Sequence, residues 1–393
     1  MHRRTLLALA AAGLAATSLA GTTVGARAQE TFKIGLILPM TGASASTGRQ
    51  IEAAAKLYMA QNGDTVAGKK VQLIVKDDTG VADVTKRLAQ ELIVNDKVGA
   101  VAGFGLTPLA LSVAPLATQA KVPQVVMAAA TATITEASPF IVRTSFTLPQ
   151  ATQPMAEWAS ANGMKKVVTL VTDYGPGIDA EKTFTATFTK AGGTVENMRV
   201  PLANPDFSPF LQKVADAKPD ALFVFVPSGY GAQFMRQFTE RGLDKSGIKL
   251  IGTGDVTDDD LLNGMGDAAL GVVTSHHYSA VHDSAENKAF VAAFKKAAGF
   301  RPNFMGVGGY DGMHLIYEGL KKTNGAGGEA LVTAIKGMAW TSVRGPVSID
   351  PQTRDIIQNV YIRKVEKVDG ELHNVEFATI PNVKDPVKAA KAN

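Results

Sequence analysis

The strongest constraint on how this chain folds is a near-unbroken alternation of short apolar runs with longer amphipathic ones. Residues 32–38, 71–75, 98–102 and 123–127 are rich in Val and Ile and bounded by Gly, Asp or Pro, the pattern of strands buried on both faces. Between them, 48–62, 82–95 and 108–120 read as helices. This strand–helix–strand rhythm predicts a parallel sheet covered on both sides. The rhythm pauses at 140–149 and resumes with strands at 167–171, 194–200, 221–226 and 249–251 and helices at 177–191, 207–217 and 231–241. That is a second doubly wound lobe. A last segment has one strand, 271–275, helices at 284–298, 305–322 and 328–337, and two extended stretches, 356–365 and 374–380. It does not form a lobe of its own, and the economical arrangement shares it out: lobe 1 takes 29–147 and 276–345, lobe 2 takes 148–275 and 346–393. Three crossings then make a hinge. The expected class is α/β, two doubly wound parallel-sheet lobes, with 387–393 as a frayed tail.

The first residues set the compartment. Met1-His2-Arg3-Arg4, an apolar run over 5–20, and Ala26-Arg27-Ala28 before Gln29 match a secretory signal peptide over 1–28, cut after Ala28. Gly13, Thr17, Ser18, Gly21, Thr22 and Thr23 interrupt the run, which falls short of the roughly 20 strongly apolar residues a membrane span needs. Arg3-Arg4 leaves open whether the route is the general or the twin-arginine one. The mature chain is expected in a bacterial periplasm, where intracellular cofactors are out of reach, and none is expected. Cleavage removes Arg3, Arg4 and Arg27, which brings the 40 basic residues to within one of the 36 acidic ones. No electrostatic case for nucleic acid or an anionic membrane survives. The chain has no cysteine, so disulfides and thiolate metal sites are excluded and stability must come from buried apolar area.

Particular residues carry a family resemblance. Phe32-Lys33-Ile34-Gly35-Leu36 leading to Pro39-Met40-Thr41-Gly42, Lys76-Asp77-Asp78-Thr79, Asp173-Tyr174-Gly175, Asp206-Phe207 and Gly266-Asp267-Ala268-Ala269-Leu270-Gly271 follow one another in order. The chain resembles the branched-chain-amino-acid-type periplasmic binding proteins of ABC transporters, which have the type I periplasmic binding protein fold. The resemblance implies a monomer that closes its two lobes on a small carboxylate and delivers it to permease subunits. It leaves the ligand open, because this family takes up aliphatic amino acids, amides and aromatic acids.

In open α/β sheets ligands sit beyond the carboxyl ends of the strands, where loops and helix N-termini expose N–H groups. After the strand at 98–102 comes Gly103-Phe104-Gly105-Leu106-Thr107-Pro108. It fits carboxylate capture by N–H groups and the Thr107 hydroxyl, and equally a glycine turn with a Thr N-cap. The resemblance favours binding, although serines usually line this loop and Leu106 replaces a hydroxyl with apolar surface. In Ala128-Ala129-Ala130-Thr131, the resemblance assigns Ala129 and Thr131 to the ligand's carboxyl group. Tyr174 and Tyr230 each follow a lobe 2 strand; either fits a partly exposed loop tyrosine, and the resemblance puts both in the cleft. Thr47, Phe104 and Met305 are expected on the far side. Amino-acid binders of this family carry an acid in the loop matching Gly252-Thr253-Gly254-Asp255 to pair the ligand's ammonium. Gly254 occupies that place and Asp255 comes one later. If Asp255 does not reach the ligand, the ligand has no amino group. Asp258-Asp259-Asp260 reads as a helix N-cap and acidic first turn.

Enzyme readings fail. His276-His277 with His282 does not suit a metal, since neighbours on a strand point to opposite faces. There is no Gly-x-Ser-x-Gly elbow, P-loop or HExxH. The expected function is therefore binding: a periplasmic solute-binding protein for a branched-chain or related aliphatic amino acid. The alternatives are an aromatic acid as ligand, or a sensor that delivers to a receptor.

Overall fold

The computed structural model of the protein describes residues 29–392; the expected signal peptide lies outside them. Lobe 1 is built from β1 (Thr31–Leu38), α1 (Ala45–Asn62), β2 (Thr65–Val66), β3 (Lys69–Asp77), α2 (Ala82–Val94), β4 (Ala100–Gly103), α3 (Thr107–Ala120), β5 (Gln124–Val126) and β6 (Ile141–Arg143). Its strand order is β2-β3-β1-β4-β5-β6, all parallel except the β2–β3 hairpin. Both faces of β1 are buried. Ile34, Leu36 and Leu38 enter one apolar cluster and Ile37 the other, which is why the strand reads as a continuous apolar run.

Lobe 2 follows with α4 (Leu148–Ala161), β7 (Lys166–Thr172), α5 (Gly175–Lys190), β8 (Thr194–Val200), α6 (Ser208–Ala217), β9 (Ala221–Phe225), α7 (Gly231–Glu240), β10 (Lys249–Thr253) and β11 (Val273–His276). These strands run parallel in the order β8-β7-β9-β10-β11. In each sheet the first strand of the wound unit lies between the second and the third, so the chain reverses direction beside β1 and β4 and beside β7 and β9. Crevices at such switch points are where α/β sheets take ligands.

The chain then returns to lobe 1 with α8 (Ala285–Ala298), α9 (Phe304–Lys322) and α10 (Gly328–Ile335), α8 and α9 packing on α1. It ends in lobe 2 with β12 (Ala339–Ser342), β13 (Gly345–Ile349), β14 (Ile356–Val368), β15 (Glu371–Val383) and α11 (Pro386–Ala392). The four strands extend the second sheet antiparallel. No helix among the described residues is long and apolar enough to cross a membrane.

Four details depart from the sequence reading. The third crossing comes before β12, not at 345/346, because Gly345-Pro346 starts the second strand of a hairpin, with Gly345 at φ 98°. Residues 386–392 form α11 instead of a frayed tail, since Lys388 reaches a buried acid: its Nζ lies 2.5 Å from Asp355 and 2.6 Å from the Thr135 hydroxyl. Asp258, Asp259 and Asp260 cap no helix and each bonds different neighbours, as described below. His276 and His277 lie side by side, ring centroids 4.4 Å apart, because β11 ends at His276 and strand alternation stops there.

The hinge is dense in buried charge. Arg143 pairs with Asp355 at 2.8 Å, and Arg344 with Asp311 at 2.7 Å. Arg344 also donates to the carbonyls of Thr144 and Ser145 in the first crossing. At the start of α4, Thr147 and Gln150 form a reciprocal capping box, and the Gln150 amide reaches the carbonyls of Ile356 and Val383. The crossings are thereby fixed to the last strands.

Candidate functional site

The loops at the two switch points line a small cavity between the lobes. Of the residues singled out in the sequence, Thr47, Leu106, Thr107, Ala129, Tyr174, Asp255 and Met305 line it. Gly105, Ala128, Ala130, Phe146, Leu148, Pro176, Phe225, Pro227 and Ser228 complete the wall.

One end, in lobe 1, is lined by backbone N–H groups. Phe104 has φ +67°, a costly conformation for a bulky residue. Its N–H bonds the Ile37 carbonyl at 3.0 Å, and its own carbonyl accepts from Ala129 N–H at 3.0 Å. This twist turns the Phe104 ring into the lobe 1 core, away from the cavity it was expected to line. It also leaves α3 starting at the cavity with no side-chain cap. The N–H groups of Leu106, Thr107 and Ala130 have no acceptor among the described residues, so they are free for a carboxylate. Ala129 differs: its N–H is already spent on Phe104. The Thr107 hydroxyl lies 2.7 Å from that of Thr131. Thr131 is absent from the lining and stands behind Thr107. Buried Arg143 gathers the carbonyls of Ala129, Thr131 and Ala132 on the far side of the loop.

The walls between are apolar and aromatic. Tyr174 stacks on Phe225, centroids 6.1 Å apart. Burial, then the charge of Asp255, then Tyr230, pushes its phenol well above the usual range, so it stays a neutral donor. Tyr230 is not in the lining; as the residue before α7 it packs on the lobe 2 core. Pro227 and Ser228 take the wall position in its place.

The lobe 2 end is polar. Asp255, 3% exposed, accepts the Thr253 hydroxyl on Oδ2 at 2.9 Å, and the same oxygen lies 3.6 Å from His276 Nε2. Burial lowers the His276 pKa to about 4 against the pull of Asp255, so the imidazole is neutral at neutral pH. The buried cation is Arg363, which donates to the Tyr278 carbonyl and to Thr274 Oγ1. Burial lowers its pKa, opposed by Asp259, Glu376, Asp255 and Asp258. Gly254 has a steric cause: a Cβ there would collide with the Arg363 guanidinium and the His276 ring. Arg363 was legible as a charge inside the apolar run 356–365. Phe146 and Phe225 gave no signal that set them apart from core residues.

The lobes also touch outside the cavity. Asp260 of lobe 2 accepts the Ser46 hydroxyl at 2.6 Å and the Asn303 amide at 2.8 Å, at the starts of α1 and α9. On the other flank Ala132 N–H donates to Asp179 at 2.8 Å. A Cβ at Gly229 would crowd the Ala43 carbonyl at 2.6 Å, and one at Gly175 would strike Thr131. Asp258 takes the Ser228 hydroxyl and Gly229 N–H, while Asp259 takes the Asn374 amide. The acidic run therefore ties the cavity rim together.

Two wound lobes with an enclosed cavity at their facing switch points define a two-lobe solute-binding protein of the type I periplasmic binding fold. The chain belongs to the periplasmic binding protein family, whose model matches residues 31–371. It is 44% identical over 387 residues to Leu/Ile/Val-binding protein homolog 6 of Brucella abortus (strain 2308), covering 96% of this chain and 98% of that one. It is also similar to the solute binding protein of an ABC transporter from Rhodopseudomonas palustris BisB5, solved in complex with 3,4-dihydroxybenzoic acid: 67% identity, TM-score 0.90, 91% of this chain and 99% of that one. A second such protein, from Rhodopseudomonas palustris HaA2 in complex with p-hydroxybenzoic acid, gives 44% identity, TM-score 0.89 and coverage of 92% and 100%.

Proposed function

We propose that the protein is the periplasmic solute-binding component of an ABC importer, that it hands its ligand to permease subunits, and that the ligand is an aromatic carboxylate. This departs from the aliphatic amino acid expected first. The observation that carries it is the composition of the cavity: backbone N–H groups at one end, flat walls from Tyr174, Phe225 and Phe146, and the apolar Leu106 beside them. A planar ring suits stacked aromatic walls. The N–H groups and the Thr107 hydroxyl hold a carboxylate charged with no arginine in the seat. The acid that would pair an ammonium already has the Arg363 guanidinium near it, so an amino group is not required for charge balance. The 67% identical relative solved with a dihydroxybenzoic acid supports the same reading.

Nothing in this reading involves making or breaking a covalent bond; closure and release are the whole cycle. The test is calorimetric titration of protein purified from the periplasm with 3,4-dihydroxybenzoate, 4-hydroxybenzoate, benzoate, leucine, isoleucine and valine. Binding of the benzoates without the amino acids is expected. Binding of leucine with no benzoate bound would overturn it.

A further inference from the structure

We propose that Asp255 is the acceptor for a ring hydroxyl placed opposite the ligand's carboxylate, so that the site selects 4-hydroxylated benzoates over benzoate itself; this rests on the aromatic-carboxylate reading above. The N–H groups of Leu106, Thr107 and Ala130 that face the cavity come from lobe 1. Asp255 enters the same cavity from lobe 2, at the end of β10. A rigid ring whose carboxylate sits in the lobe 1 seat therefore turns its far substituent towards the lobe 2 wall.

Asp255 is built as an acceptor with one place vacant. Oδ2 takes the Thr253 hydroxyl, but Oδ1 accepts no hydrogen bond among the described residues, although the residue is almost fully buried. That oxygen is open to the cavity, where a ligand hydroxyl would supply its donor. A hydroxyl suits the place better than an ammonium, because the Arg363 guanidinium already lies near this carboxylate and a second buried cation would meet it. Tyr174, whose phenol stays neutral, adds no charge. Fixing Asp255 from behind through Thr253 spares the ligand the entropy of ordering it. The bond also spans the cleft: carboxylate on lobe 1 and hydroxyl on lobe 2 make one ligand hold both lobes. Unsubstituted benzoate would hold only the first.

The test compares benzoate, 4-hydroxybenzoate and 4-methoxybenzoate by calorimetry on the wild-type protein and on Asp255→Asn and Asp255→Ala. The wild type is expected to prefer 4-hydroxybenzoate over both others by on the order of tenfold to a hundredfold, the range for a hydrogen bond to a charged group. The methoxy compound keeps the oxygen but cannot donate. Asp255→Ala should abolish the preference, costing 4-hydroxybenzoate on the order of ten times more affinity than it costs benzoate; Asp255→Asn, a weaker acceptor, should fall between. Benzoates that bind wild type with no preference for the hydroxyl would overturn this assignment and leave the aromatic-carboxylate reading standing. A preference that survives in both variants, or a loss shared equally by benzoate, would overturn it too. Absence of any benzoate binding would sink the broader reading instead. If the variants fail to fold, the wild-type comparison of hydroxy with methoxy compound still decides.

Discussion

At the scale of single residues, the polar end of the cavity turns on which groups carry charge. His276 is packed between Phe146 and Phe304, with ring centroids 4.6 and 4.1 Å away, and burial holds its pKa near 4. The unfolded chain, with a histidine pKa of about 6.5, binds a proton that the folded chain refuses. Stability present above pH 6.5 is therefore lost as the pH falls towards 4. Burial lowers His277 well below the usual histidine range too, and it acts in the same direction. Asp259 acts the other way: burial raises its pKa to about 6, so its folded form gains the proton first. Comparing variants isolates the histidine. In urea unfolding at pH 7 and pH 5, His276→Asn should lose less stability on acidification than wild type, by on the order of 2 kcal/mol. Equal losses would show that His276 does not titrate across folding. The sequence had named Asp255 and left its partner open. Gly254 explains why the acid sits one place later, yet that reason was invisible in the sequence, because the guanidinium that excludes a side chain at 254 comes from a strand more than a hundred residues away.

At the scale of elements, the parallel strands and their helices were legible because both faces of each sheet are covered, so burial writes itself as continuous apolar runs. The antiparallel additions were harder. β12 (AWTS) is mostly exposed or half-buried and carries no such run. The β14–β15 turn was written in the sequence as Asp369-Gly370, both at positive φ, a strong hairpin signal that marks strands longer than the stretches read at 356–365 and 374–380. α11 was missed because its seven residues cannot be helical by propensity alone. What holds it is Lys388, 6% exposed, against Asp355 and Thr135. Removing one partner of a buried ion pair costs roughly 3–5 kcal/mol, and Arg143 stays to share Asp355. Lys388→Ala should accordingly destabilise by about 2 kcal/mol, read as a lower midpoint in urea, with ligand affinity retained. An unchanged midpoint would mean that α11 contributes nothing to the fold.

At the scale of the whole molecule, the lobes are held by contacts on both flanks of the cavity as well as by the hinge. Asp260 is the clearest, a lobe 2 carboxylate on the starts of two lobe 1 helices, favoured by their dipoles. Because it does not line the cavity, its loss should weaken every ligand alike. Asp260→Ala is expected to lower affinity for benzoate and 4-hydroxybenzoate by one common factor, on the order of tenfold, while the melting of the ligand-free protein stays at wild type. A change confined to one ligand, or none at all, would remove Asp260 from the closing contacts. The C-terminal helix has a further consequence for anyone who handles the protein. Lys388 and Lys391 bind Asp355, Thr135 and Glu136, beside the Arg143–Asp355 pair where the chain first crosses between lobes. An affinity tag, a fluorophore or a surface tether fused after Asn393 would therefore pull on the hinge, and a sensor built that way would report the strain of its own attachment along with ligand. Labels belong on an outer helix such as α6, where the same closure can be watched without leaning on it.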